Sequence, residues 1–161
     1  MRSLFKFIAA ALILGSTPAI AQPTPDERRM AAYTIADAAH GEALLERLVN
    51  QNSGTLNSAG VRAVADMLRP EFEALGFAVR WIDGATWGRA GHLIATHRGN
   101  GQREGRGRRV LMIGHLDTVF EPDNPFRGYR TEGRRAIGPG VSDDKGGIIV
   151  ILGALRAMLH A

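Results

Sequence analysis

The alternation of two apolar patterns along the chain constrains its fold more than any other feature. Stretches in which apolar residues recur every three or four positions predict helices. They alternate with short apolar runs that predict strands, and no internal repeat interrupts this order. The order is typical of an α/β layer fold with a largely parallel sheet, in which functional sites gather beyond the carboxyl ends of the strands.

Three stretches carry the helical pattern. Residues 26–50 follow a polar linker and are rich in Ala, Leu and Glu. Residues 61–75 hold the clearest stripe, with Asn57 or Ser58 as the expected N-cap. From residue 146 onwards the spacing suits a helix packed on a sheet. The apolar residues expected on these faces are Leu44, Leu45, Leu48, Val61, Val64, Ala65, Leu68, Phe72, Leu75, Ile148, Ile151, Leu152, Leu155 and Leu159.

Three shorter runs carry the strand pattern. They are residues 77–82, 92–96 and 110–113, each bounded by Gly or polar residues. The third run is wholly apolar, which predicts a buried strand. Trp81 and Trp87 lie in and just after the first run and are predicted to be packing residues.

The first 21 residues have the features of a cleavable secretion signal. Arg2 and Lys6 precede an apolar run over residues 7–14, and small residues before position 22 suit cleavage after Ala21. The alternative is an uncleaved membrane anchor, but the run is much shorter than the roughly 20 residues of a spanning helix. We therefore expect a periplasmic or secreted protein with no membrane attachment after cleavage.

The rest of the chain is predicted to form one globular domain. Residues 22–36 are interpreted as a linker and the start of the first helix, and residues 37–161 as the domain itself. A composition with 45% hydrophobic and 22% charged residues is typical of a globular protein with a core. The chain has no cysteine, so any metal must be held by His and carboxylates.

Basic residues cluster at Arg98 and over residues 103–109, but we do not expect a nucleic-acid partner. Loss of the signal's two cations lowers the formal charge from +4 to +2. Arg alternates with Gly in the cluster, with no aromatic side chain on which bases could stack. A solvated loop is favoured over a nucleic-acid patch, which would bind with an affinity that falls steeply with salt.

A His-x-Asp pair follows the third predicted strand. The spacing of His115 and Asp117 directs both side chains to the same side. A neutral imidazole is a good zinc ligand, and a neighbouring carboxylate can accept its other ring N–H. The alternative is a buried, structural His whose ring N–H donates a hydrogen bond to a nearby acid in a turn. A His-x-Asp pair without further evidence favours this alternative.

A glycine-rich loop, residues 138–147, places Asp143 and Asp144 directly before the last predicted helix. Its glycines permit a close approach of the backbone. Asp is also a common helix cap that interacts well with the helix dipole, so a single acid here would need no functional explanation. The loop and the His-x-Asp pair together favour a metal site.

These two segments resemble the zinc metallopeptidases of the M20 family. In that family a His-x-Asp follows a strand, and a Gly-rich segment ending in Asp-x-Lys-Gly comes later, as it does here. The resemblance runs from about His40 to the last residue and includes residues 49–54. The amino-acid sequences of both motifs are most similar to those of the glutamate carboxypeptidase subfamily.

The resemblance implies a role for each site residue. His115 would be a ligand of one zinc ion, Asp143 the carboxylate that bridges two zinc ions, and Asp117 the catalytic-site acid that orients His115. A non-proline cis peptide bond is implied between Asp143 and Asp144. The implied fold is α/β, a three-layer sandwich with a mostly parallel mixed sheet.

The activity implied is hydrolysis of an amide or peptide bond in a small peptide or an N-acyl amino acid. Family members continue with a Glu-Glu pair, further metal ligands and a lid or dimerisation domain that would permit a homodimer. We therefore interpret the sequence as the N-terminal part of a catalytic domain, inactive by itself. The alternative is a truncated, non-catalytic product that only binds a metal or a partner.

Overall fold

The computed structural model describes residues 22–99 and 109–161. The predicted secretion signal and all but the last residue of the arginine-rich cluster over 103–109 lie outside the described residues. The elements, in chain order, are α1 (Pro25–Ala36), α2 (Ala38–Asn50), α3 (Ser58–Glu73), β1 (Ala78–Asp83), a 3₁₀ turn (Ala85–Trp87), β2 (Gly91–Thr96), β3 (Arg130–Glu132), β4 (Arg135–Ile137) and α4 (Lys145–His160).

The helix predicted over residues 26–50 is present as two helices, α1 and α2. The first begins with a capping box, in which the Thr24 hydroxyl accepts from the Glu27 N–H and the Glu27 carboxylate accepts from the Thr24 N–H. Asp37 separates the two helices. The capping box starts the first helix at Pro25, within residues 22–36, which were interpreted as a linker and the start of that helix.

Helix α3 confirms the clearest of the helical predictions. Asn57 is the N-cap, and its side chain accepts from the N–H of Gly60 at 3.0 Å. A Cβ at Gly60 would lie 2.1 Å from the Asn52 carbonyl oxygen, so a glycine is required there. After the helix, Gly76 has a φ of +78°, which lets the chain turn towards β1.

The core joins α2, α3 and α4. Burying each of its large apolar side chains contributes about 1.5–3 kcal/mol. Helix α4 packs on α1 and α2 rather than on a sheet, and Leu159 near its end is 51% exposed. In the described ranges no helix combines the length and apolar content needed to cross a bilayer. The core cluster consists of Leu44, Leu48, Val64, Leu68, Ile148 and Leu152.

The described strands form two antiparallel hairpins rather than a parallel sheet. In the first, Ala78 of β1 pairs with Thr96 of β2. In the second, β3 pairs with β4. The strands predicted over residues 77–82 and 92–96 are therefore confirmed, but their pairing is antiparallel. The described residues contain both helices and strands, which confirms the general prediction that the chain mixes α and β structure.

Residues 110–113 do not form the predicted buried strand. Val110, Leu111 and Ile113 are 75%, 83% and 80% exposed, and no strand is assigned to them. A strand needs a neighbour to accept and donate its backbone hydrogen bonds. In the two described ranges, no segment pairs with residues 110–113.

The two tryptophans have different surroundings. Trp81 is partly buried, and the guanidinium of Arg62 lies over its ring at 4.9 Å from the centroid. Trp87 is 62% exposed in the 3₁₀ turn between β1 and β2. The prediction that Trp87 is a packing residue is therefore wrong, because a turn at the hairpin end leaves its side chain in solvent.

Candidate metal centre

The loop over residues 114–121 carries the His-x-Asp pair, and the segment after α2 holds it in place. The Thr118 N–H donates to the Ser53 carbonyl at 2.8 Å, and the Thr55 N–H donates back to the Thr118 carbonyl at 3.0 Å. These bonds surround a parallel bridge between Gly54 and Thr118. The loop position is therefore fixed by backbone contacts from a distant part of the chain.

Two side chains fasten the far end of the same loop. The Asn52 side-chain amide donates to the Phe120 carbonyl at 2.9 Å. The Glu121 carboxylate accepts from the Leu56 N–H at 3.0 Å. A Cβ at Gly54 would lie 2.8 Å from the Glu121 Cα, so only glycine permits this close approach.

The imidazole of His115 lies between the two acids that the sequence indicated. Its Nε2 atom is 2.8 Å from Asp143 Oδ1. Its Nδ1 atom is 3.0 Å from the Asp117 carbonyl oxygen and 3.3 Å from Asp117 Oδ1. The structure thus brings together all three predicted site residues.

These contacts change the pKa of His115. Partial burial acts to lower the pKa, but the hydrogen bonds to the Asp143 side chain and the Asp117 carbonyl, with the charges of both acids, outweigh it. The net result is a pKa raised above the ordinary value of 6.5. Without a metal, a proton is therefore held more firmly on the ring than in a solvated histidine.

Asp117 contacts the ring nitrogen that faces away from Asp143. Its Oδ2 atom accepts a hydrogen bond from the Thr55 hydroxyl at 2.7 Å, and its carbonyl and Oδ1 both lie near His115 Nδ1. A proton on Nδ1 would leave Nε2 free as a ligand atom. This arrangement suits the predicted orienting role, and the carbonyl provides the shorter contact.

The glycine-rich loop presents the second acid to His115. The peptide bond between Asp143 and Asp144 is cis, as the sequence resemblance implied. The Asp143 side chain is 81% exposed, so it can reach a ligand. A Cβ at Gly147 would lie 1.9 Å from Asp144 Oδ1, so the carboxylate occupies the space that this glycine leaves.

Asp144 also belongs to the centre, although the sequence resemblance implied no role for it. Its Oδ2 atom accepts from the backbone N–H of His115 at 3.3 Å. The contact joins the glycine-rich loop to the His-x-Asp loop. The signal in the sequence was Gly147, three residues after Asp144, because only glycine leaves room there for the Asp144 carboxylate.

Lys145 was not singled out from the sequence, yet it is a fully buried side chain. Its Nζ atom donates to the carbonyls of Leu48 and Gln51 at 2.7 and 2.8 Å. Burial lowers its pKa from 10.5 to about 8. Lys145 therefore satisfies carbonyls at the end of α2 and attaches the loop of Asp143 to that helix.

The donor set fits part of a zinc site. An imidazole nitrogen and a carboxylate oxygen face each other, and both groups are of the type that zinc accepts in proteins. Both side chains are accessible, since His115 is 48% and Asp143 81% exposed. Within residues 22–99 and 109–161, no group of three or more His, Asp or Glu side chains could hold a metal ion. The pair fits as two ligands of a larger set.

Comparison with known proteins identifies the family. A model of the family described as Peptidase family M20/M25/M40 matches residues 111–161, which contain His115, Asp117 and Asp143. Carboxypeptidase G2 of Pseudomonas sp. (strain RS-16) is 36% identical over 116 residues, or 71% of this chain and 26% of that protein. The chain spans about a quarter of the length of this curated relative. The two matches show that the chain belongs to the M20 peptidase family.

Proposed function

We propose that the protein is a zinc-dependent hydrolase of the M20 peptidase type that cleaves an amide or peptide bond. The observation that carries the proposal is the position of the His115 ring between Asp117 and Asp143. All three residues lie in the segment that matches the peptidase family. The name of the relative, a carboxypeptidase, supports the same reaction type.

His115 and Asp143 are the residues that would hold zinc, with Asp143 bridging a pair of ions. If these residues held zinc, the metal would supply an activated water molecule and polarise the carbonyl of the substrate. Asp117 keeps the His115 ring oriented through its contacts with Nδ1. Asp144 holds the backbone of His115 at a fixed place relative to Asp143.

The proposed substrates are small peptides or N-acyl amino acids. A carboxypeptidase acts at a free C-terminus, so the relative's name favours a peptide that ends in a carboxylate. Membership of the family supports a three-layer α/β sandwich with a mostly parallel mixed sheet for the complete domain. It also supports a homodimer through a second domain.

The proposed location is the periplasm or the medium. This rests on the sequence of residues 1–21, with cleavage after Ala21. Zinc sites made from His and carboxylates, with no thiolate, suit an oxidising compartment, because they contain nothing that oxidation would convert to a disulfide.

We further propose that the 161-residue chain is inactive by itself. Catalytic zinc normally has three protein ligands, whereas the described centre offers one imidazole and one metal-facing carboxylate. This shortage also supports the second candidate, a non-catalytic product that binds only a metal or a partner. The two candidates differ in whether residues outside this sequence complete the site.

A hydrolase assay distinguishes these candidates. The intact protein and the 161-residue chain are loaded with zinc and incubated with N-acyl amino acids and with peptides that end in glutamate. We expect zinc-dependent turnover from the intact protein and none from the 161-residue chain. Robust turnover by the short chain contradicts its proposed inactivity, and no turnover by the intact protein favours the non-catalytic candidate.

A further inference from the structure

We propose that Thr55 is a positioning residue of the metal centre, whose hydroxyl fixes the carboxylate of Asp117 and so the ring of His115. Thr55 lies 62 positions before Asp117 in the sequence, outside both motifs that mark the centre. The proposal rests on the proposed function, since it assigns to Thr55 a part in preparing the zinc ligand.

The hydroxyl of Thr55 makes a short hydrogen bond to Asp117. The distance from Oγ1 to Asp117 Oδ2 is 2.7 Å, whereas the Thr118 carbonyl oxygen is 3.2 Å from the same hydroxyl. A hydroxyl has one proton to donate, and a bond to a carboxylate is stronger than one to a neutral carbonyl. The Thr55 hydroxyl therefore donates its hydrogen bond to the Asp117 carboxylate.

The same carboxylate also faces His115. While Oδ2 accepts from Thr55, Asp117 Oδ1 lies 3.3 Å from His115 Nδ1. A carboxylate is planar, so fixing one oxygen restricts the position of the other. The hydroxyl of Thr55 thus limits the rotation of the group that faces the ring.

Backbone contacts hold Thr55 itself in place. Its N–H donates to the Thr118 carbonyl at 3.0 Å, beside the parallel bridge between Gly54 and Thr118. Threonine is also restricted at χ1 because two heavy atoms are attached to its Cβ. The hydroxyl therefore comes from a turn that a backbone hydrogen bond ties to the loop of Asp117, and such support is what the precise positioning of a metal ligand requires.

The test compares variants of the intact protein that differ in this hydroxyl. Thr55→Val keeps the shape and removes the hydroxyl, and Thr55→Ser keeps the hydroxyl. The matched control is Thr34→Val, which removes a hydroxyl that donates to the Met30 carbonyl at 2.9 Å within α1. Zinc affinity is measured by competition with a chromophoric chelator. The ring ¹⁵N shifts of His115 are recorded in the zinc-free protein.

We expect Thr55→Val to weaken zinc binding about 10-fold, the lower end of the effect typical of residues that support a ligand. The ¹⁵N shift of His115 Nδ1 should move from its wild-type value, because the carboxylate oxygen beside that atom is no longer held in place. Thr55→Ser and Thr34→Val should behave like the wild type. In an Asp117→Asn background, Thr55→Val should have little further effect, because the hydroxyl acts through that carboxylate.

Wild-type zinc affinity and ring shifts in Thr55→Val overturn the proposal, and so does a Thr55→Ser variant as weak as Thr55→Val. If Thr55→Val does not fold, Thr55→Ala removes the same hydroxyl and is judged by the same readouts. If the wild-type protein binds no zinc, the proposed function fails. The ring shifts of the zinc-free protein then still decide whether Thr55 positions His115.

Discussion

The ring of His115 has an acid on each side, and its titration reports on both. In the zinc-free protein we expect the pKa of His115 above 6.5, because the contacts with Asp143 and Asp117 outweigh partial burial. A raised folded-state pKa stabilises the fold at pH values below the unfolded pKa. That contribution is lost as the pH rises through the folded pKa.

An NMR titration of the His115 ring measures this pKa. Asp143→Asn should lower it, because the variant removes the charge and weakens the bond to Nε2. Asp66→Asn is the control, since Asp66 pairs with Arg62 on the exposed face of α3. A pKa that is the same in the wild type and in Asp143→Asn contradicts the geometry of the centre.

The buried ammonium group of Lys145 makes the stability of the fold depend on pH. Its pKa falls from 10.5 to about 8 on folding, because burial penalises the charged ammonium. Between these two pH values the unfolded chain binds more protons than the folded one, so the free energy of unfolding rises with pH. The rise from pH 8 to 10.5 should amount to about 3 kcal/mol.

Urea unfolding across this pH range, compared between the wild type and Lys145→Met, isolates the contribution of the lysine. The variant has no group to titrate at this position. The free energy of unfolding of the wild type should therefore increase relative to that of the variant as the pH rises. A difference that stays constant from pH 8 to 10.5 would show that Lys145 keeps an ordinary pKa.

The sequence alone identifies some of these residues and not others. His115 and Asp143 were predictable because the signal is local: a His-x-Asp after an apolar run, and acids in a glycine-rich loop. Thr55 and Lys145 act through contacts with residues 62 and 94 or more positions away. Nothing in the neighbouring sequence marks such a contact, so only the folded chain reveals it.

At the scale of the elements, helices were predicted well and strand pairing was not. Apolar spacing in α3 depends on residues within one helix, and Asn57 caps it through a bond three residues away. Residues 110–113 have the composition of a strand, but a strand also needs a partner from elsewhere in the chain. The antiparallel direction of β1 and β2 follows from the short connection between Asp83 and Gly91, which the alternation of helical and strand patterns did not indicate.

A nearly buried ion-pair network joins the helices. Arg156 of α4 contacts the carboxylates of Asp37 and Glu71 at 3.2 and 2.5 Å. The side chains of Arg156, Glu71 and Asp37 are 9%, 15% and 20% exposed. Because removing one partner leaves charges of the other sign nearly buried, Arg156→Met should lower the free energy of unfolding by about 3–5 kcal/mol.

The matched control is Arg130→Met, which breaks an exposed pair with Glu132. Exposed pairs contribute about 0–1 kcal/mol, so this variant should be close to the wild type. Chemical denaturation of both variants measures the difference. If Arg156→Met and Arg130→Met both lower the free energy of unfolding by a similar small amount, the ion pairs of Arg156 do not hold α4 against the other helices.

At the scale of the whole molecule, helices α1 to α4 and two antiparallel hairpins form the described structure. The metal-facing side chains lie at an accessible surface, with His115 48% and Asp143 81% exposed. The chain covers 26% of the length of carboxypeptidase G2. These facts agree with a centre to which residues outside this sequence contribute ligands, as the proposed function requires.

The central claim is that His115 and Asp143 hold the metal of this peptidase-family protein. The most direct measurement is the zinc content of the intact protein, determined for the wild type, His115→Ala and Asp143→Ala. His92→Ala and Asp66→Ala serve as controls, since both residues are exposed and lie away from the centre. We predict that zinc content falls in the first two variants and not in the controls. Unchanged zinc content in both His115→Ala and Asp143→Ala would contradict the account.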